Sequence, residues 1–202
     1  MILEALAKRR SARSFDPDRP IPPDVLERVL ETARLAPSAL NLQPVCFVVC
    51  TRPETKRALR AAAFDQQKIE DAAAVVVLAA DLDLAARARR MPELSCFEPD
   101  RLEEWTELAR LAYDGHPDRC RDEAFRSGGL SAMALLAAAE GAGLASAPVG
   151  GFDSEQVARA VGLPPSRLPV LLVALGYPGA KPPLTPRPPR AADGVRWERW
   201  SD

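Results

Sequence analysis

The stretch from Asp118 to Gly141 constrains the fold of this chain more than any other. Read as a helix it runs about 35 Å, charged in its first half. Its second half, Leu130-Ser131-Ala132-Met133-Ala134-Leu135-Leu136-Ala137-Ala138-Ala139, is small and apolar nearly all round. A helix of that composition has to be covered on every side, by its own core or by a second subunit. Gly128, Gly129, Ser131 and Ala132 permit close backbone approach along it.

The partners for such a helix are readable elsewhere. Val45–Cys50 and Ala74–Ala80 are continuously apolar rather than alternating, the pattern of strands in a sheet covered on both faces. Leu144–Val149 and Val170–Leu175 read as two more strands. Residues 1–9 form a short helix. A second helix spans Pro23 to Leu35, with Val25, Leu26, Val29, Leu30 and Ala33 on one buried face. Pro22, Pro23, Asp24 and Glu27 suit its start, and Pro37 closes it. A third helix runs from Pro53 to about Ala62. A polar stretch, 65–71, leads into the second strand. Residues 81–116 are helical and charged, broken at Met91-Pro92 and Glu98-Pro99, and a last short helix, Ser154–Val161, ends at Gly162. The order implies one α/β or α+β domain over residues 1–202.

Six prolines fall within residues 178–190, so that tail is extended. Val195 to Trp200 reads as a last strand. Trp197 and Trp200 are hard to bury in so thin a segment; an arm wrapped over a partner subunit solves this, as does a terminus docked on its own core.

Composition excludes several classes. At 202 residues with a formal net charge of −1, no overall field draws the chain to nucleic acid or to an anionic membrane. Glu4, Lys8, Arg9 and Arg10 interrupt any leader-like apolar region, and the longest apolar run, Leu130–Ala139, is too short for a bilayer. Cys46, Cys50, Cys96 and Cys120 have no CxxC spacing, as expected of buried free thiols in a reducing compartment, Cys46 and Cys50 on an apolar strand. A soluble cytoplasmic protein is expected. Metal-ligand spacings, a P-loop and a Gly-x-Ser-x-Gly elbow are all missing, and the single histidine, His116, stands in no acid–base constellation.

Against that neutral background, Arg9-Arg10-Ser11-Ala12-Arg13 concentrates three guanidiniums and a hydroxyl in five residues. In an extended segment Arg9, Ser11 and Arg13 project to one side, and planar guanidiniums donate paired hydrogen bonds to phosphate. A solvated basic turn would show the same run. Nucleic-acid contact is disfavoured by the net charge and by the lack of interleaved aromatics.

Arg9-Arg10-Ser11-Ala12-Arg13-Ser14-Phe15 resembles the Arg-x-Ser-x-Arg/Lys-x-Phe pattern of the nitroreductase family, whose basic and Ser residues bind the FMN phosphate. Pro37-Ser38-Ala39-Leu40-Asn41-Leu42-Gln43-Pro44 is similar to the family segment that reaches the flavin from the second subunit. Pro148-Val149-Gly150-Gly151-Phe152-Asp153 resembles the segment whose amides face the flavin N5 and O4 edge. Leu175-Gly176-Tyr177-Pro178 ends a strand as in the family, and Arg187 stands where a late Arg closes on the phosphate. Gln66 and Lys68 resemble the polar cluster at the pyrimidine edge, where a cation stabilises reduced flavin; a solvated helix lysine is the plainer account. A tight turn would explain Gly150 and Gly151 without a flavin.

The resemblance implies a mixed-sheet α+β fold and an intertwined homodimer with FMN at the interface. It implies NADPH or NADH as electron donor and a nitroaromatic, quinone or similar acceptor. The same contacts would serve a flavin carrier or sensor without turnover, or a specialised flavin dehydrogenase or dehalogenase. Two departures stand out: Val45-Cys46 follows Gln43-Pro44 where relatives carry an aromatic or polar residue, and Gly150 stands where some carry Glu.

Overall fold

The computed structural model describes residues 2–90, 99–182 and 196–198. Four strands, β1 (Val45–Cys50), β2 (Ala74–Asp81), β3 (Ala145–Val149) and β4 (Arg167–Gly176), form a sheet in the order β1-β2-β4-β3. Every neighbouring pair is antiparallel. The parallel component expected of a mixed sheet is limited, among the described residues, to an isolated bridge between Ser11 and Ser146. Most of the expected strand at 195–200 lies outside the described residues, as do Cys96 and Arg187.

The continuous apolar run of β2 has its expected cause: all residues from Ala74 to Ala80 are buried. One face of the sheet, with Val76, Leu78, Val173 and Leu175, packs on α2 (Pro23–Ala33) and α7 (Pro117–Gly141). The other, with Val75, Val77, Leu172 and Ala174, packs on α3 (Pro53–Ala62), α4 (Gln67–Asp71) and α8 (Ser154–Val161). Burying one such Val or Leu side chain contributes about 1.5–3 kcal/mol. β1 departs from the expectation of cover on both faces. It is a sheet edge, four of its residues are half-buried, and Val49 is exposed.

A third cluster lies beside this sandwich. Leu42, Leu84, Ala88, Ala109 and Cys120 are buried together, joining the turn before β1 to α5 (Leu84–Ala88), α6 (Leu102–Tyr113) and α7. Asp83 caps α5 by accepting the Ala86 N–H at 2.8 Å. At the other end of the molecule, α1 (Ile2–Lys8) packs on α7.

Two helix readings need correction. The second helix stops at Ala33 rather than Leu35: the Leu35 N–H turns to the Thr32 carbonyl, and Pro37 disfavours helical geometry at Ala36. The polar stretch 65–71 contains a short helix, α4, anchored by buried Ile69.

The long helix is where expected, but within one chain it is not covered on every side. Its buried stripe is Cys120, Glu123, Ala124, Ser127, Gly128, Ser131, Ala132, Leu135, Leu136 and Ala139. Phe125, Leu130 and Met133 are exposed. Gly128 is required by close approach, since a Cβ there would lie 2.5 Å from Val170 Cγ2, whereas Gly129 faces open space. No described helix is long and apolar enough to cross a membrane.

Candidate functional site

The Arg/Ser segment runs beside the Ser146 end of β3, bridged there at Ser11, and bends at Arg13 before Phe15 bridges Pro178. The Ala12 N–H bonds the Ser146 carbonyl at 2.9 Å, and the Asp16 N–H bonds the Tyr177 carbonyl. Ala12 is buried and Arg13 is exposed, so Ser11 and Arg13 alternate away from the core. Arg9 Nη1 is buried with no hydrogen-bond partner among the described residues, and so is Ser146 Oγ on the strand residue bridged to Ser11. Buried guanidinium nitrogens without acceptors are uncommon, and the segment is short of an acceptor. Arg10 is engaged differently. Its Nη1 donates to the carbonyls of Ala7, Lys8 and Arg9, capping the negative end of α1.

Pro148 and Val149 carry β3 to its other end, where Gly150 and Gly151 follow, about 13 Å from Ser146 at the usual rise per strand residue. Neither glycine has a left-handed φ. A Cβ at Gly150 would meet only Leu171 at 3.7 Å, and one at Gly151 only the Phe64 ring at 4.0 Å. Nothing in the chain's own backbone or packing demands glycine at either position, so the tight-turn explanation fails. The space is a cradle that a side chain would fill.

The α3–α4 connection borders this cradle. Asp153 N–H bonds the Ala62 carbonyl at 2.8 Å. Gln66 Nε2 donates to Ala63 O at 3.0 Å and Gly151 O at 3.4 Å. Lys68 is half-buried, its ammonium has no hydrogen-bond or ion-pair partner among the described residues, and desolvation pushes its pKa below the usual lysine value. Sequence reasoning missed Phe64. Its ring is 71% exposed beside Gly151, and its φ of 54° is left-handed. An apolar residue just ahead of the polar run 65–71 was the available signal.

The segment 37–44 is built under strain. Leu40, Asn41 and Gln43 have φ near +50°, a conformation costing about 1 kcal/mol or more for each non-glycine residue. Ser38 Oγ accepts the Gln43 N–H at 2.8 Å, and Leu42 is fully buried as an anchor. Arg87 of α5 grips the turn from outside, donating from Nε to Leu42 O at 2.8 Å and from Nη2 to Gln43 O at 2.6 Å. Asp81 holds the other edge of that guanidinium at 3.5 Å and Arg167 at 3.4 Å. Arg167 Nη1 also donates to Cys46 Sγ at 3.3 Å. Cys46 is therefore half-buried and in polar contact, not a sequestered strand thiol. A cavity of about 510 Å³ opens beside the turn, lined by Ser38, Gln43, Cys46, Phe47, Arg87 and Arg167 among others.

The structure brings Arg9, Ser11, Arg13, Pro148, Val149, Gly150, Gly151, Gln66 and Lys68 to the β3 side of the sheet. It does not bring Pro37, Ser38, Ala39 and Asn41 there. Their turn enters β1 at Val45, level with Ala80 and Leu168, whereas Ser146 is level with Leu175. The two groups lie on opposite edges of the sheet. To the Ser146 end the diagonal, from Leu168 to Leu175 along β4 and across three strand spacings, is about 27 Å; Gly150, just past the Val149–Leu172 pair, is nearly level with Phe47, about 14 Å straight across. Both spans are beyond the reach of any side chain.

Known proteins share this sequence and this architecture over most of their length. The "NADH dehydrogenase" of Thermus thermophilus is 41% identical over 176 residues, covering 86% of this chain and 85% of its own. A nitroreductase family protein from Streptococcus pneumoniae has a superimposable structure, with a TM-score of 0.86, 27% identity, and coverage of 98% of this chain and 100% of that one. A protein of Exiguobacterium sibiricum, solved in complex with FMN, matches with a TM-score of 0.83 and 27% identity over 98% of this chain and 97% of that one. The model of the Nitroreductase family matches residues 6–177. Fold and overall sequence therefore agree, and the chain belongs to the nitroreductase family.

Proposed function

We propose that the protein is a homodimeric FMN-dependent NAD(P)H oxidoreductase whose two flavin sites are each completed by both subunits. The observation that carries this reading lies along β3: a buried guanidinium nitrogen without an acceptor in the segment at one end, and a glycine pair with free space at the other. A phosphate satisfies the first and a planar ring edge fits the second.

In this reading Arg9, Ser11 and Arg13 hold the phosphate, with Arg187 closing on it and Arg10 supporting the segment by capping α1. Gly150 and Gly151 let main-chain N–H groups approach the ring. Gln66, already bonded to Gly151 O, orients that edge. Lys68 faces the pyrimidine edge, and its desolvated ammonium gains from any negative charge that develops there. Pro37, Ser38, Ala39 and Asn41 complete the pocket from the partner subunit, because in their own chain they are on the opposite edge of the sheet. Bound FMN would supply the redox chemistry, ping-pong hydride transfer between NADPH or NADH and a nitroaromatic, quinone or similar acceptor. The chain itself needs no acid–base residue for this; its residues bind, orient and tune charge.

The test begins with the absorbance spectrum of the purified protein, which should carry flavin bands. Anaerobic stopped-flow mixing with NADH or NADPH should then bleach them rapidly. A colourless protein that ignores added FMN would overturn the reading, and a flavin that stays oxidised would mark a carrier rather than an enzyme.

A further inference from the structure

We propose that Arg87 is the positioning residue of the strained turn Ser38–Gln43, and that through this turn it governs turnover at the partner subunit's flavin and not at its own. The inference rests on the shared-site reading above and adds a residue that no sequence motif marks.

Three left-handed residues within four positions do not hold themselves. Inside the turn, Ser38 Oγ accepts the Gln43 N–H and Leu42 serves as an apolar anchor. Outside it, Arg87 spans two successive carbonyls, Leu42 and Gln43, with two arms of one planar fork. That geometry fixes the orientation of the peptide between them, which a single donor cannot do. The fork is itself held. Only 12% of the Arg87 side chain is exposed, Asp81 lies against its remaining nitrogen, and the Asp81 N–H bonds the Pro44 carbonyl where the turn becomes β1. Arg87 stands on α5, whose Leu84 and Ala88 bury Leu42 from the same side. One helix therefore supplies both the apolar anchor and the polar clamp of the turn.

Removing Arg87 leaves no bare charge, because Asp81 keeps Arg167 at 3.4 Å. Arg87→Lys is the informative variant: it retains the charge beside Asp81 and cannot bridge both carbonyls. Arg87→Gln serves as the second variant if the lysine finds an alternative pose. Displacing a positioning element by about 1 Å can lower turnover by about 100-fold, so flavin reduction by NADH should slow about 10- to 100-fold per bound FMN. Affinity for FMN, set by the phosphate segment on the far corner, should change little.

The decisive experiment uses differently tagged heterodimers that combine an Arg87→Lys subunit with an Arg9→Ala/Arg13→Ala subunit. FMN then sits in the Arg87→Lys subunit, against the intact turn of its partner, and its reduction by NADH should return to the wild-type rate per flavin. A merely structural defect would not be relieved in this way. A heterodimer as slow per flavin as the Arg87→Lys homodimer would overturn the proposal, as would an unchanged rate in the Arg87→Lys and Arg87→Gln homodimers. Full FMN retention by the Arg9→Ala/Arg13→Ala homodimer would instead sink the phosphate assignment, and the homodimer rates alone would then decide for or against Arg87.

Discussion

Gly151→Ala and Gly128→Ala are the same chemical change with opposite consequences. At Gly151 the added methyl meets only the Phe64 ring at 4.0 Å, ordinary contact, and φ is not left-handed. Losing glycine's freedom in the unfolded chain stabilises by about 0.4–1 kcal/mol. The FMN-free protein should therefore be unchanged or up to about 1 kcal/mol more stable. The same methyl occupies the cradle proposed for the flavin edge. Forfeiting one main-chain hydrogen bond there is about 1 kcal/mol or more, so the Kd for FMN should rise about 5- to 10-fold. At Gly128 the new Cβ would lie 2.5 Å from Val170 Cγ2 and 3.2 Å from Val170 Cβ, against about 3.5–4.0 Å for relaxed carbon contacts. Helix and strand must part by roughly 1 Å, an overpacking of about 1–3 kcal/mol. The better helix propensity of alanine offsets up to about 1 kcal/mol of this. Urea unfolding of FMN-free protein at one fixed concentration, with fluorescence titration of FMN, reads both quantities. If Gly151→Ala destabilised the FMN-free protein by more than about 1 kcal/mol, or left FMN affinity untouched, the glycine pair would serve the chain's own backbone and the cradle argument would fall.

The same geometry has other measurable consequences. Adding Val170→Ala to Gly128→Ala removes the colliding methyls, so the double variant should recover part of the lost stability in a double-mutant cycle; strict additivity would mean the contact is not the cause. Ser11→Ala with Arg13→Ala should weaken FMN binding about 100-fold, the loss of two phosphate contacts, as read by flavin retention through gel filtration. Desolvation lowers the Lys68 pKa from 10.5, so between the lowered value and 10.5 the unfolded chain binds more protons than the folded one. Stability of the FMN-free protein should rise with pH across that window. Lys68→Met should remove part of the rise and leave the share from Lys56, which burial also lowers. An unchanged slope in thermal melts across the alkaline range would show the Lys68 ammonium to be solvated.

Periodicity and local chemistry made the inner elements legible in the sequence. The run 74–80 can only be an inner strand, and it is. The helix Ser154–Val161 ends at Gly162 as expected, in a left-handed cap with φ 67°. Apolar continuity could not separate β1 from β2, because an edge strand with Val45, Phe47 and Val49 reads like a central one; neighbours, not composition, decide burial. The left-handed geometry at Leu40 was equally invisible, since leucine carries no preference for it. Arg87 and Phe64 lay outside every motif. Arg87 is 44 residues from Gln43 in sequence and acquires its role only when the third core cluster forms. The extended reading of Arg9, Ser11 and Arg13 holds where Ser11 bridges Ser146, but the chain bends at Arg13, and the spacing gave no sign that Arg10 would turn back on its own helix.

The exposed surface and the divided site pose one problem. Leu3 is 80% and Leu35 is 82% exposed, and between α1, α2 and α7 a cavity of about 820 Å³ is lined by Ala134, Ala137 and Ala138 among others. Apolar surface of this kind calls for a partner. The residues proposed for the flavin site meanwhile stand on opposite edges of the sheet. In the proposed dimer a two-fold axis answers both demands together. An isologous contact repeats every pairing, so an edge of one copy that meets the opposite edge of the other generates two complete sites while covering the same apolar helices twice. A flavin carried by one chain alone would leave Ser38, Ala39 and Asn41 without a function and the strain in their turn without a use.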